Sequence, residues 1–352
     1  MSELTVRSSH GDYGIRVELG ASAEAQGADV ALIDPVVLDL LPHPPDAMIP
    51  VEASEANKTL ATCETVLVEM NRIGLRRGGE IVAVGGGVVQ DVATLASSLY
   101  MRGVPWTYVP TTLMAMADSC IGGKSSINAG GIKNLVGNFN PPRRVLVDPV
   151  FITGLPQKAR VAGLAEAVKI CFARGAASLA VFLDSSAATE PGADEATAAL
   201  IAHVLASKTW FIEVDEFDQA ERQLLNFGHS FGHAWEASCD FAVPHGVGVA
   251  VGMLAALAHP SSRSSESTDL LRAYTRAIAD TVRNDIASAA ARTDGALFRR
   301  ALAADKKNSR SSLRLVLPGA GGALEIVERP LVDSELRIAE QALRSALEEV
   351  VS

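Results

Sequence analysis

The run EIVAVGGGVVQDVATLAS, residues 80–97, decides the fold. Its first half is apolar and rich in β-branched residues, and it ends in Gly85, Gly86 and Gly87. Its second half carries the apolar spacing of a helix. Glycines between a strand and a helix let the backbone approach a pyrophosphate closely. The helix start then offers unpaired N–H groups and the positive end of its dipole. The run departs from the GxGxxG pattern of dinucleotide sites, because Gln90 stands at the third glycine position. It therefore reads either as a phosphate site or as a tight structural turn.

Outward from this run the same alternation continues. DVALID (29–34), TYVP (107–110) and RVLVD (144–148) are short strand-like runs, and a helical stretch extends from Glu55 to Ile73. Strands separated by helices read as a Rossmann-like parallel α/β sheet. Asp34, at the end of its run, is placed either to accept hydrogen bonds from a ribose or to cap a turn. Thr111 and Thr112, after Pro110, either donate hydroxyls to a cofactor or shape the turn.

From about Leu155 the pattern changes to Ala-rich helical segments, including VAGLAEAVKICFA, ATAALIAHVLASKTWFI and the run from Thr268 to about Ala304. LRLVLP (313–318) is the one strand-like interruption, and HPSSRSSEST (259–268) reads as an exposed loop. A chain of 352 residues exceeds the size at which a single core stops growing, so two lobes with a cleft are expected. The expected division is an α/β nucleotide-binding domain over 1–153 and a mainly helical metal- and substrate-binding domain over 154–352, parted near Pro149 and Pro156.

Composition narrows the functional classes. A net charge of −10 argues against a nucleic-acid surface, which needs a basic footprint, so an anionic substrate would require a locally basic pocket. No apolar run reaches the length of a membrane span, and the N-terminal stretch lacks the basic start and apolar core of a secretory signal. Cys63, Cys120, Cys171 and Cys239 form no CxxC pair, as suits reduced thiols. These features together give a cytoplasmic expectation.

The chemistry concentrates in the second half. LLNFGHSFGHAWEA places His229 and His233 four residues apart on one helix face, and His245 follows in VPHGVGVAVGM. Such histidines converge on a point that suits a divalent ion such as zinc. Glu166, in the apolar helix GLAEAVKI, is a candidate acidic ligand, or else the partner of Lys169 in a buried ion pair. In the first half, MADSCIGGKSSINAGGIKNLVGNFNPP sets Asp118, Lys124, Asn128, Lys133 and Asn134 among glycines, a composition suited to holding a phosphate and a hydroxyl. Lys208 and Arg222 flank an acidic turn, and Lys306 and Lys307 precede the late strand. Each of these four taken alone reads as a solvated surface charge.

Taken in order, EANKT, GGGVVQD, YMRGVPWTYVPTTL, ADSCIGGKSSIN, KNLVGNFNPP, GLAEAVK, LLNFGHSFGHA and PHG resemble the 3-dehydroquinate synthase and sugar-phosphate cyclase family over roughly residues 55–318. The resemblance implies metal ligation by Glu166, His229 and His245, with His233 moved from the metal to the substrate phosphate. It implies Arg102, Lys124, Asn134 and one of Lys306 or Lys307 as substrate-anion ligands, and Asp118, Lys169, Lys208, Arg222 and Asn226 as holding the remaining substrate groups. Glu55, Lys58, Gly86, Gly87, Asp91, Thr111, Thr112 and Lys133 match its cofactor-contacting stretches.

The cofactors implied are NAD and a divalent metal, zinc or cobalt. NAD transiently oxidises a substrate hydroxyl, phosphate leaves, the hydride returns, and an intramolecular aldol step closes the carbocycle. A homodimer is implied as well. Departures from the family pattern are Val247, where a glutamate follows the last metal histidine, Gln90 in place of glycine, and Gly154 and Ala159 near the boundary. Lys208, Arg222 and the retained Leu225-Asn226 pair point to 3-deoxy-D-arabino-heptulosonate 7-phosphate or its amino analogue. The alternatives are a specialised cyclase on another sugar phosphate such as sedoheptulose 7-phosphate, an NAD- and metal-dependent alcohol or glycerol dehydrogenase, and a binding protein that has lost catalysis.

Overall fold

Residues 30–33, 81–85 and 106–110 are buried along their whole length. This is the continuous apolar burial of strands covered on both faces, and it explains why these runs show no polar alternation. The computed structural model describes residues 2–41 and 44–352.

Its strands begin with β1 (Ser2–Val6), β2 (Tyr13–Val17), β3 (Val30–Ile33) and β4 (Met48–Pro50). Next come helix α1 (Leu60–Ile73), β5 (Ile81–Gly85), α2 (Gly87–Leu99) and β6 (Trp106–Pro110). A small antiparallel hairpin, β7 (Ile127–Ala129) and β8 (Ile132–Val136), precedes β9 (Arg144–Val147). Seven of these strands form one sheet in the order β1-β2-β9-β6-β5-β3-β4, parallel throughout except for the antiparallel pair β1 and β2.

From β3 the chain steps outward to β4, then returns past β3 to β5 and continues to β6 and β9. The order of strands therefore reverses between β3 and β5, which is where open parallel sheets bind ligands, beyond the carboxyl ends of the strands. Asp34, Gly86 and Thr111 all sit at those ends. Gly85 must stay bare, since a Cβ there would lie 2.4 Å from a Val89 methyl.

The second half holds α3 (Gln157–Arg174), α4 (Ala176–Leu183), α5 (Glu195–Val214), α6 (His229–Ser238), α7 (His245–Ala258), α8 (Glu266–Asp280), α9 (Arg283–Ala290) and α10 (Gly295–Ala303). It closes with the antiparallel pair β10 (Ser312–Pro318) and β11 (Leu324–Pro330), then α11 (Asp333–Val351). The late strand-like run thus has a second strand as partner, which the sequence reading did not anticipate. The 259–268 stretch is only partly the exposed loop expected: His259 and Thr268 are buried, and Ser265 begins α8 through a reciprocal capping box with Thr268.

The chain divides into two compact units, residues 1–155 with 190–216, and residues 156–189 with 217–352. The first changeover falls at Leu155, while α5 packs against β1 and β2 of the sheet instead of joining the helical unit. In the helical unit α7 is buried from Gly246 to Ala256, and it packs against α3, α6, α8 and α11. A helix apolar on all sides belongs at the centre of such a bundle. None of the described helices is long and apolar enough to cross a membrane.

Candidate active site

In the first unit the glycine run gives α2 an open N-terminus. Gly86 is its N-cap residue with no side-chain cap, so the first N–H groups of the helix have no partner within it. A Cβ on Gly86 would come 3.0 Å from Cγ2 of Thr112, so the loop after β6 lies directly against the glycine turn. Thr111 is buried, and the Thr112 hydroxyl accepts from the Ala115 amide at 3.2 Å. Asp34 accepts from the Val36 amide at 3.2 Å, the turn-capping role anticipated for it beside the ribose role.

Beside α2, Lys58 is buried with Nζ 2.7 Å from Asn134 Oδ1, 3.2 Å from Asp91 and 3.7 Å from Glu55. Burial pushes the Asp91 carboxyl up to about 6, against the pull of Lys58. Asn128 completes the group: its amide donates to Glu55 at 2.8 Å, and its oxygen accepts from the Asn134 amide at 2.8 Å. Three candidate cofactor residues, Glu55, Lys58 and Asp91, therefore form one cluster, and Asn134, read from the sequence as a substrate ligand, joins them. Lys133 is exposed on β8.

The segment after β6 carries Asp118 in a helical turn, Ala115–Ser119. Lys208, buried on α5, binds the Asp118 carboxylate at 2.5 Å and also its carbonyl. Gln90 ties this segment to α2, donating to the Ser119 carbonyl at 2.6 Å and accepting from the Ser119 hydroxyl at 2.6 Å. The side chain that departs from the glycine pattern is thus a strut. Lys124 lies half-buried at a bridge to Phe139. Arg102 is exposed in a left-handed run, with φ of 46° at Met101, 68° at Arg102 and 114° at Gly103. Non-glycine residues adopt that conformation only under constraint.

In the second unit Glu166 and Lys169, both buried on α3, are in direct contact, so the anticipated ion pair is present. The same carboxylate lies 3.5 Å from His229 Nε2 and 3.4 Å from His245 Nε2. Donor atoms ~2.0–2.1 Å from a tetrahedral ion stand roughly 3.3–3.4 Å apart, so each of these two separations is the size a zinc-like ion needs. His229, His233 and His245 also have ligand atoms within 4.8 Å of one another, so the three imidazoles by themselves are a second candidate ligand group.

The outer ring nitrogens orient both Nε2 atoms. His229 Nδ1 lies 3.2 Å from the Phe227 carbonyl, and His245 Nδ1 lies 3.0 Å from Glu236. Burial, Lys169 and the neighbouring histidines hold His229 well below the usual histidine range, hence neutral and ready to ligate. Burial lowers His245 too, but its bonds to Glu166 and Glu236 outweigh that and raise it to about 10. Burial raises the Glu166 carboxyl, yet Lys169 and His245 together bring it down to about 2. Without an ion, a proton on His245 therefore balances the two carboxylates.

Lys307 is half-buried, with its Nζ atom buried and lacking a hydrogen-bond partner, and it is near enough to depress His229. It lines a groove with Gln223, Asn226, Ser230 and Arg314. This distinguishes it from Lys306, which lines no part of that groove. Arg222 is buried in the short turn that leads to Asn226. The sequence reading missed Glu236 and Arg314. Glu236 carried a signal: it falls seven residues after His229 and three after His233, on the same helix face.

The two units are thus a parallel α/β sheet with an uncapped helix start after a glycine turn, and a helical bundle with three grouped imidazoles. The chain belongs to the 3-dehydroquinate synthase family: residues 48–162 match its N-terminal part and residues 163–308 its C-terminal part. A 3-dehydroquinate synthase of Latilactobacillus sakei is 34% identical over 286 residues, spanning 81% of this chain and 78% of that one.

Solved structures that share the fold include two sugar-phosphate cyclases. A 2-deoxy-scyllo-inosose synthase, complexed with carbaglucose-6-phosphate, NAD+ and Co2+, has a TM-score of 0.81 at 20% identity, covering 98% of this chain and 99% of the other. A 2-epi-5-epi-valiolone synthase from Streptomyces hygroscopicus, with NAD+ and Zn2+ bound, has a TM-score of 0.80 at 24% identity, covering 97% and 98%.

Proposed function

We propose that the protein is a sugar-phosphate cyclase, a phosphate-eliminating carbon–oxygen lyase, and that it acts as a 3-dehydroquinate synthase on 3-deoxy-D-arabino-heptulosonate 7-phosphate. The observation that carries this reading is the convergence of His229 and His245 Nε2 on Glu166, at 3.5 Å and 3.4 Å, beside the unpartnered ammonium of Lys307. When bound, NAD accepts and returns a hydride, and the metal, zinc or cobalt, polarises the reacting oxygens.

The chain's own residues do the rest. Glu166, His229 and His245 hold the ion. Gly86 and Gly87 present the start of α2 to the pyrophosphate, with Thr111, Thr112, Asp91, Lys58, Glu55, Lys133 and Asp34 around the dinucleotide. In the helical unit Lys307, rather than Lys306, takes the substrate anion with His233, and in the sheet unit Arg102 and Lys124 are assigned as anion ligands. Asn134 is assigned with Lys58 to the cofactor side. Arg222 neutralises the substrate carboxylate, and Asn226, Lys169, Lys208 and Asp118 bind the remaining groups. The protein works in the cytoplasm as a homodimer, which a solution mass would check.

Val247 and Gln90 favour a second reading, a specialised cyclase acting on another sugar phosphate. A panel separates the two. Purified protein with NAD and zinc or cobalt is given 3-deoxy-D-arabino-heptulosonate 7-phosphate, its amino analogue, sedoheptulose 7-phosphate or glucose 6-phosphate. Phosphate release from the first supports the main reading, and release only from another moves the protein to the second.

A further inference from the structure

His245 is the first residue of α7, at the end of a helix where nothing in the backbone ladder fixes its ring. Its Nδ1 meets Glu236 Oε1 at 3.0 Å, while its Nε2 faces Glu166. Glu236 is 8% exposed and, among the described residues, pairs with no lysine or arginine. A buried carboxylate with no permanent counter-charge is costly, so its placement requires a reason. Gly248 shows how closely the site is built around it. A Cβ at Gly248 would lie 2.4 Å from Oε1 and 2.9 Å from Cγ of Glu236, so the carboxylate rests on a bare backbone.

We propose that Glu236 is a positioning residue for the metal centre. By accepting the Nδ1 proton of His245 it fixes the tautomer in which Nε2 carries the lone pair, aims that nitrogen at the point shared with Glu166 and His229, and makes the ring a stronger donor. Gly248 is the clearance that lets the carboxylate reach the ring. The Phe227 carbonyl does the same for His229 but brings no charge. The two histidines are therefore unequal ligands, and His245 is the one tuned by a carboxylate. This inference rests on the proposed metal site.

Three variants test it: Glu236→Gln, Glu236→Leu and Gly248→Ala. Each is measured for zinc affinity by competition with a chromophoric chelator, for the absorption bands of the cobalt-loaded protein, and for thermal unfolding without metal. Loss of an outer partner of this kind weakens metal binding by ~10–100-fold. Gln keeps the acceptor and loses the charge, so Glu236→Gln falls near ~10-fold and Glu236→Leu near ~100-fold. Gly248→Ala weakens zinc binding and shifts the cobalt bands although it removes no donor.

Wild-type zinc affinity and unchanged cobalt bands in all three variants, with only the metal-free melting temperature lowered, would make Glu236 a plain packing contact and overturn the proposal. A wild-type protein that bound no zinc would instead overturn the metal site itself, and the role of Glu236 with it.

Discussion

Replacing Lys169 by Met separates the two charges that can balance Glu166. Both side chains are almost fully buried and in contact on α3, and Met keeps the length of the lysine stem while removing its charge. Breaking a buried pair by removing one partner costs ~3–5 kcal/mol. Here the His245 imidazolium remains 3.4 Å from the carboxylate, so the lower end applies, ~3 kcal/mol. For a domain of ~150–250 residues that corresponds to a fall of roughly 6–12 °C in Tm in metal-free protein.

Zinc changes the outcome, because the ion brings its own positive charge to Glu166 and makes the lost ammonium less needed. By linkage, a variant that loses more stability without metal than with it must bind metal more tightly. The assay is thermal unfolding of both proteins, with chelator and with saturating zinc. The expected result is a large gap between wild type and Lys169→Met in chelator and a small one in zinc. An equal gap in both would mean that zinc and Lys169 do not share a carboxylate, and would remove Glu166 from the ligand set.

Two further outcomes follow from the same geometry. His259 is buried, and burial with Arg329 nearby lowers it to about 4, so between its unfolded value of ~6.5 and about 4 the unfolded chain binds a proton that the folded chain does not. Stability is therefore present above that window and lost as pH falls through it, by ~1–2 kcal/mol after allowing for partial solvation of the ring; His259→Gln should flatten this slope in urea titrations, and an unchanged slope would contradict it. Gln90→Ala removes the strut to Ser119 and should cost ~1–3 kcal/mol and raise KM for the sugar phosphate more than it weakens NAD, a split readable from steady-state kinetics and NAD titration; equal effects on both would place Gln90 at the dinucleotide instead.

The parts of the fold that sequence revealed are those where one local pattern suffices. The apolar, β-branched run before Gly85 read as a strand, and the His229–His233 spacing put two imidazoles on one face whatever the tertiary structure. What sequence concealed depends on long-range packing. α5 reads like the helices around it, yet it joins the sheet unit, and this carries Lys208 to Asp118 across 90 positions of chain. The hairpin β7–β8 was hidden because IKNLV on β8 is mostly exposed and shows no alternation of burial.

Lys306 and Lys307 are adjacent and chemically identical, so only the turn after α10 could distinguish them. Glu236 was passed over because the residue it serves is the start of the next helix, and the Gly248 contact that reveals its purpose is invisible until α6 and α7 pack.

The central claim is tested most directly by following one turnover mixture of the metal-loaded protein with 3-deoxy-D-arabino-heptulosonate 7-phosphate and NAD. The account predicts stoichiometric phosphate, a carbocyclic product of the mass of 3-dehydroquinate, and no net accumulation of NADH. NADH accumulating in proportion to substrate consumed, with phosphate retained on the product, would contradict it and identify a dehydrogenase.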